Sequence, residues 1–265
     1  MSATSALHRV NDLSRLVMVR PGGWVETDLD MHRGHVIITH DPIDDATADA
    51  LDAALAGNDD GRPRPLFLEE FLPAAAAAGV GGLILDCKRE NVELAARPLL
   101  ARGWTGDFFW LNEMEVQADI FSESDPGHRG CMRVWKRRGA DEVISTAEDA
   151  VRDGRISPTW VWVDCWDREL RNDIERAVVP LSGREAGRLR ELGVRLCICS
   201  PELYAFRPEF AKNETAMATM RRGVRNHQTK LKAAGITADM VCTKFPEWWD
   251  LEQSRRPSTK DGRDA

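Results

Sequence analysis

Short runs of β-branched and aromatic residues recur along the chain, and between them lie longer stretches whose apolar positions repeat at helical spacing. Eight such runs can be read: residues 6–10, 24–29 continuing through a turn into 35–40 as one unit, 82–87, 107–111, 131–134, 159–165, 194–199 and 239–243. Helices are predicted over 66–78, 92–102, 115–121, 147–152, 183–192 and 215–234, several of them followed by a glycine suited to ending a helix, as at Gly79, Gly103, Gly193 and Gly235. The stretch 57–65 reads as a surface loop.

Strands that alternate with helices imply parallel pairing and right-handed crossovers, and eight of them in about 250 residues point to a (β/α)8 TIM barrel, slightly irregular, rather than an open sheet. One barrel domain over residues 1–253 is expected. The polar segment 254–265 carries too little apolar surface to pack and reads as a disordered tail. Residues 1–16 lack the uninterrupted apolar core of a secretory signal, and no stretch reaches the roughly 18 apolar residues of a membrane span. A cytoplasmic protein without a transmembrane segment is therefore expected; the sequence carries no signal for its oligomeric state.

The 265 residues are 43% apolar and 30% charged, a globular composition. A net charge of -7 argues against a nucleic-acid binder, because phosphate-backbone recognition rests on a basic surface, but it leaves a small phosphorylated substrate open. Six cysteines form no CxxC pair and read as buried reduced thiols. Nine tryptophans against one tyrosine is an unusual ratio, since indole is costly to bury without a partner for its N–H or a ligand to stack on.

Active sites of barrels lie at the C-terminal ends of the strands. There the sequence places His8 and Arg9, Glu26 and Asp28, His40 and Asp41, and Asp86 and Lys88. Strand alternation puts Glu26 with Asp28 on one face, and Asp86 with Lys88, while Val25, Thr27, Leu85 and Cys87 take the other. Three carboxylates converging at one mouth call for a cation, and an all-oxygen set suits Mg2+ or Ca2+ rather than zinc or copper. The competing reading is a set of rim ion pairs with Lys88 and Arg9. His8 and His40 could face each other across a substrate as acid and base, with Arg9 and Lys88 holding a phosphoryl oxygen. Together these groups describe a phosphodiester site.

In order, HRV at residues 8–10, Glu26-x-Asp28, THDP at 39–42 and Asp86-x-Lys88 resemble the glycerophosphodiester phosphodiesterases, within the phosphatidylinositol-specific phospholipase C-like superfamily. HRVN, THDP, SPEL at 200–203, VWVDCW and MVCTK are similar to a bacterial branch of that superfamily, over about residues 7–249. The resemblance implies that His8 and His40 are the catalytic acid and base. It likewise implies that Glu26, Asp28 and Asp86 are divalent-metal ligands and that Arg9 and Lys88 contact phosphate. Two departures stand out. HRVNDL lacks the glutamate usual in the first loop, with Asn11 or Asp12 in its place, and the third acidic ligand is Asp86 where glutamate is commoner.

The later strand ends suggest a wall for substrate built from Trp110, Trp135, Trp162, Trp166, Trp248 and Trp249, with Glu202, Lys244 and Trp166 as contacts. Trp160 and Trp162 are read as packing on opposite sides of the barrel wall, and Arg133 as a partner for Asp164. The basic residues around 221–232 read as a solvated helix face. The function expected is a metal-dependent phosphodiesterase acting on a small-molecule or lipid-derived phosphodiester. The alternative is a barrel that binds a phosphorylated metabolite without turnover. A Schiff-base lyase using Lys88 ranks last, because it leaves the histidines, Glu26 and Asp28 without a role.

Overall fold

The computed structural model describes residues 4–58, 61–89, 91–111, 130–134, 140–152, 159–166, 170 and 172–249. The fold is mixed α/β. Its strands are β1 (Thr4–Leu7), β2 (Trp24–His32), β3 (His35–Ile38), β4 (Leu66–Phe67), β5 (Gly82–Cys87), β6 (Asp107–Leu111), β7 (Gly130–Val134), β8 (Trp160–Val163), β9 (Arg195–Cys199) and β10 (Met240–Thr243). The helices are α1 (Asp45–Leu55), α2 (Leu68–Ala77), α3 (Val92–Gly103), α4 (Ala140–Arg152), α5 (Gly183–Glu191), α6 (Glu202–Ala205) and α7 (Glu214–Ala233).

The strands form one curled sheet in the order β1-β10-β9-β8-β7-β6-β5-β2-β3-β4, and β1 also pairs with β2. Every pairing from β1 round to β2 is parallel, whereas β3 and β4 extend the sheet antiparallel beyond β2. Alternation along the strands separates two faces. The outward positions Val25, Leu83 and Leu85 pack under α2 and α3 through Phe71, Leu72, Ala96 and Leu100. On the other side of the curl Val161, Val163, Leu196 and Ile198 pack under α4 and α5 through Val143, Ala147, Ala186 and Leu189.

The inner face is aromatic at its base. Phe109 stacks on Trp160 with ring centroids 5.0 Å apart, and Trp24 lies 5.8 Å from each of them. Gly82 is required beside this cluster, since a Cβ there would come within 2.3 Å of the Trp24 ring. Trp160 and Trp162 both belong to the inner cluster. The expectation of opposite sides fails because residues two apart on a strand share a face. Trp110 is also corrected: it is buried in the outer core beneath the helices rather than at the mouth.

Several boundaries differ from the sequence reading. The first strand ends at Leu7, so His8 and Arg9 lie in the loop beyond it. The stretch 44–65, for which the sequence reading predicts no helix, contains α1, an alanine-rich helix whose N-cap Asp44 accepts from Thr47 N–H. Residues 66–67 form a strand rather than the start of α2, and α4 begins at Ala140, well before the expected 147. His35–Ile38 is a separate antiparallel strand rather than part of one unit with β2. It is reached by a two-residue turn in which Arg33 and Gly34 both have positive φ. Arg33 and His32 then tie this hairpin to Asp52 of α1. The expected helix 115–121, Trp135 and the tail 254–265 lie outside the described residues. Among those described, no helix is long and apolar enough to cross a membrane.

Candidate active site

β2 and β5 run side by side with Glu26 opposite Ile84 and Asp28 opposite Asp86, which brings two carboxylates together across adjacent parallel strands. Glu26 and Asp28 are buried, 2% and 1% exposed, and Asp86 is half-buried. One oxygen from each of Glu26, Asp28 and Asp86 lies within 4.8 Å of the others. Burial pushes the Glu26 carboxyl well above its ordinary range, and the neighbouring Asp28 and Asp86 charges push it further.

Such a set demands a cation, and part of the demand is met from within. Lys88 Nζ lies 2.6 Å from Asp28 Oδ1 and 2.6 Å from Asp86 Oδ2. Burial works to lower the Lys88 pKa, but Asp86 and Asp28 outweigh it and hold the group protonated. Three hard oxygen donors, two of them already paired with a positive charge, fit a divalent cation of the Mg2+ or Ca2+ class in their chemistry.

The loop after β1 closes over this set. His8 N–H donates to Thr243 C=O at 3.0 Å, which anchors the loop on β10. The His8 ring is buried, with Nε2 3.6 Å from Glu26 Oε2 and Nδ1 without a hydrogen-bond partner among the described residues. Burial, then the charges of Arg9 and Lys244, keep its pKa well below 6.5, so the ring is neutral at pH 7. Arg9 adopts a left-handed backbone, φ 53°, which a side chain larger than glycine rarely takes. Its N–H donates to Glu26 Oε2 at 2.6 Å and its C=O accepts from Arg15 at 2.5 Å, and these two bonds hold the unusual conformation.

That conformation aims the Arg9 guanidinium at His40, donating to Nε2 at 2.5 Å. Guanidinium has no acceptor, so His40 Nε2 must accept; Nδ1 then carries the proton and donates to Asp41 Oδ1 at 2.8 Å. The contact lowers the Asp41 carboxyl below its usual range. His40 reaches the site from the loop after β3, an antiparallel strand, and not from the end of a barrel strand as expected.

Asn11 stands where the first-loop glutamate of the resembled family is missing. Its Nδ2 donates to Asp28 Oδ2 at 2.7 Å and its Oδ1 accepts from Asp28 N–H at 3.1 Å. Asp12 instead caps the short 3-10 turn Leu13–Met18, accepting from Arg15 N–H. Of the two candidates for replacement, Asn11 is therefore the one that reaches the acidic set. Arg15 was not anticipated: nothing in its spacing shows that the turn folds it back onto Arg9.

Glu202 is corrected. It is wholly buried, and its carboxylate bonds the hydroxyls of Ser200 and Thr243 and the Lys244 N–H, joining the ends of β9 and β10 rather than facing a substrate. Burial raises its pKa. Lys244, held by Glu202, has its pKa lowered by burial and then by Arg9, and its Nζ lies 5.3 Å from the Phe206 ring centroid. Trp166 is half-buried, its N–H donating to Asp164 Oδ1. Trp249 donates to Ser200 Oγ, and Trp248 stacks on Phe245. Both lie beside the ends of β9 and β10. The Arg133 side chain lies outside what is described.

No family model matches the chain, and no curated protein matches it. Among solved structures it is similar to a glycerophosphoryl diester phosphodiesterase from Parabacteroides distasonis ATCC 8503. That likeness has a TM-score of 0.59 at 15% identity and covers 96% of this chain and 86% of the other. It shows a shared fold. A calcium-dependent phosphoinositol-specific phospholipase C from Pseudomonas sp. aligns at a TM-score of 0.33 and 14% identity, over 91% of this chain and 88% of that one, too loosely to carry an argument.

Proposed function

We propose that the curled sheet is a (β/α)8 barrel and that the protein is a metal-dependent phosphodiesterase hydrolysing a small or lipid-derived phosphodiester. The observation that carries this reading is the convergence of Glu26, Asp28 and Asp86 within 4.8 Å, faced by a buried neutral His8 and by the Arg9–His40–Asp41 chain. Glu26, Asp28 and Asp86 would hold Mg2+ or Ca2+, which when bound supplies charge neutralisation at phosphoryl oxygens. Arg9 and Lys88 bind the remaining phosphoryl charge. His8, neutral at the working pH, takes the proton of the attacking hydroxyl, while His40, once it takes up a proton at Nε2 in place of accepting from Arg9, gives that proton to the leaving oxygen.

The test is hydrolysis of bis(p-nitrophenyl) phosphate and of a glycerophosphodiester by the purified chain with Mg2+, Ca2+ or Mn2+. Activity should vanish in EDTA and fall about 10²- to 10⁴-fold in His40→Ala. Full activity under either condition overturns the mechanism. The Lys88 bridge between Asp28 and Asp86 favours a second reading, a barrel that binds a phosphorylated metabolite without turnover. Saturable binding of a phosphomonoester with no hydrolysis of either diester would select it.

A further inference from the structure

A second cluster of ligating side chains lies at the ends of β8 and β9. Asp164 and Cys165 directly follow β8, and Cys199 is the last residue of β9. One donor atom from each of the three lies within 4.8 Å of the others, and all three residues are buried. Asp164 is already oriented, its Oδ1 accepting from Tyr204 Oη at 2.8 Å and from Trp166 N–H at 2.9 Å. Tyr204 Oη in turn accepts from Cys199 Sγ at 3.4 Å, so one phenol links the carboxylate and a thiol.

We infer that Asp164, Cys165 and Cys199 form a binding site for a thiophilic divalent cation of the zinc and cadmium class, separate from the acidic set of the active site. Two sulfurs and one carboxylate oxygen are the donors such cations prefer, whereas the three oxygens of Glu26, Asp28 and Asp86 select harder ions. With metal–sulfur bonds of about 2.3 Å, two ligands of one tetrahedral ion sit roughly 4 Å apart, a spacing this cluster reaches with small adjustments. Tyr204 and Trp166 supply the outer hydrogen bonds that hold a ligating carboxylate in place.

A buried dithiol could instead serve as a redox pair. A disulfide, however, would need an oxidant and would leave the third member of the cluster, Asp164, without a role. Binding of the cation needs no oxidant: two S–H bonds break, two sulfur–metal bonds form, and both protons leave to solvent. Filled in this way the site ties the end of β8 to the end of β9 and leaves a fourth coordination position for water or an anion.

Cadmium titration of the reduced, metal-stripped full-length chain tests this. The expected result is a sulfur-to-cadmium charge-transfer absorbance that saturates at one ion per chain. It persists in Asp28→Asn and is lost in Cys165→Ser and in Cys199→Ser. Absence of the band, or its survival in both serine variants, overturns the inference. Should those variants fail to fold, X-ray absorption on the cadmium-loaded wild type decides: two sulfur neighbours with oxygen completing the shell support the site. A shell of oxygen alone, or of three or more sulfurs, refutes it.

Discussion

Asn11 grips Asp28 from two directions, its amide on a carboxylate oxygen and its carbonyl on the backbone N–H of the same residue. Outer hydrogen bonds of this kind set both the angle and the basicity of a ligating carboxylate. Replacing Asn11 by Ala is therefore expected to weaken Mn2+ or Ca2+ binding about 10- to 100-fold with the fold intact, measured by calorimetry. Unchanged affinity would show that Asp28 needs no such support. At this scale much of the candidate site was legible, because alternation alone puts Glu26 and Asp28 on one face and strand ends are where barrels gather polar groups. Arg15 and the Asn11 contacts were not legible, since they depend on the left-handed turn at Arg9 that folds the loop back. Glu202 was misread for a related reason: sequence places a carboxylate near the mouth without telling whether neighbouring hydroxyls already engage it.

Among the elements, β5 meets β2 with Gly82 paired to Trp24 and lying against its ring. Gly82→Ala would drive a methyl into the Trp24 ring, and the expected loss is about 1–3 kcal/mol by urea denaturation, because that ring is already fixed against Phe109 and Trp160. A neutral outcome would mean that Trp24 can shift within its cluster. The parallel strands and the helices over 92–103, 183–191 and 214–233 were readable from periodicity and their terminal glycines. The antiparallel edge β3–β4 and α1 were not, though each left a signal. Arg33-Gly34 is a two-residue hairpin turn, and Asp44 followed by an alanine-rich run is an N-cap and a helix. Counting His35–Ile38 into the preceding strand hid the reversal that delivers His40.

For the molecule as a whole, pH dependence should reveal how the segment from α7 to Trp249 seats on the rest of the fold. His227 of α7 is buried against Trp249, with ring centroids 6.5 Å apart, and burial followed by the Lys230 charge lowers its pKa from 6.5 to about 4. A histidine with a depressed folded-state pKa binds fewer protons folded than unfolded, so stability rises with pH between those values and is lost as pH falls through them. The wild type should therefore lose up to about 3 kcal/mol more than His227→Leu between pH 7 and pH 4, followed by chemical denaturation. Parallel curves for the two proteins would refute the assignment. The same segment bears on how the site comes into being. β1 is hydrogen-bonded on one side to β2 and on the other to β10, and His8 hangs from Thr243. A growing polypeptide thus carries all three carboxylates of the acidic set long before it carries the strand on which His8 N–H is anchored. Loop closure between two strands over 230 positions apart is slow, and until it happens the His8 N–H lacks its Thr243 acceptor and β1 is paired on the β2 side alone. On this geometry the His8 loop gains its last anchor only once synthesis has passed Thr243.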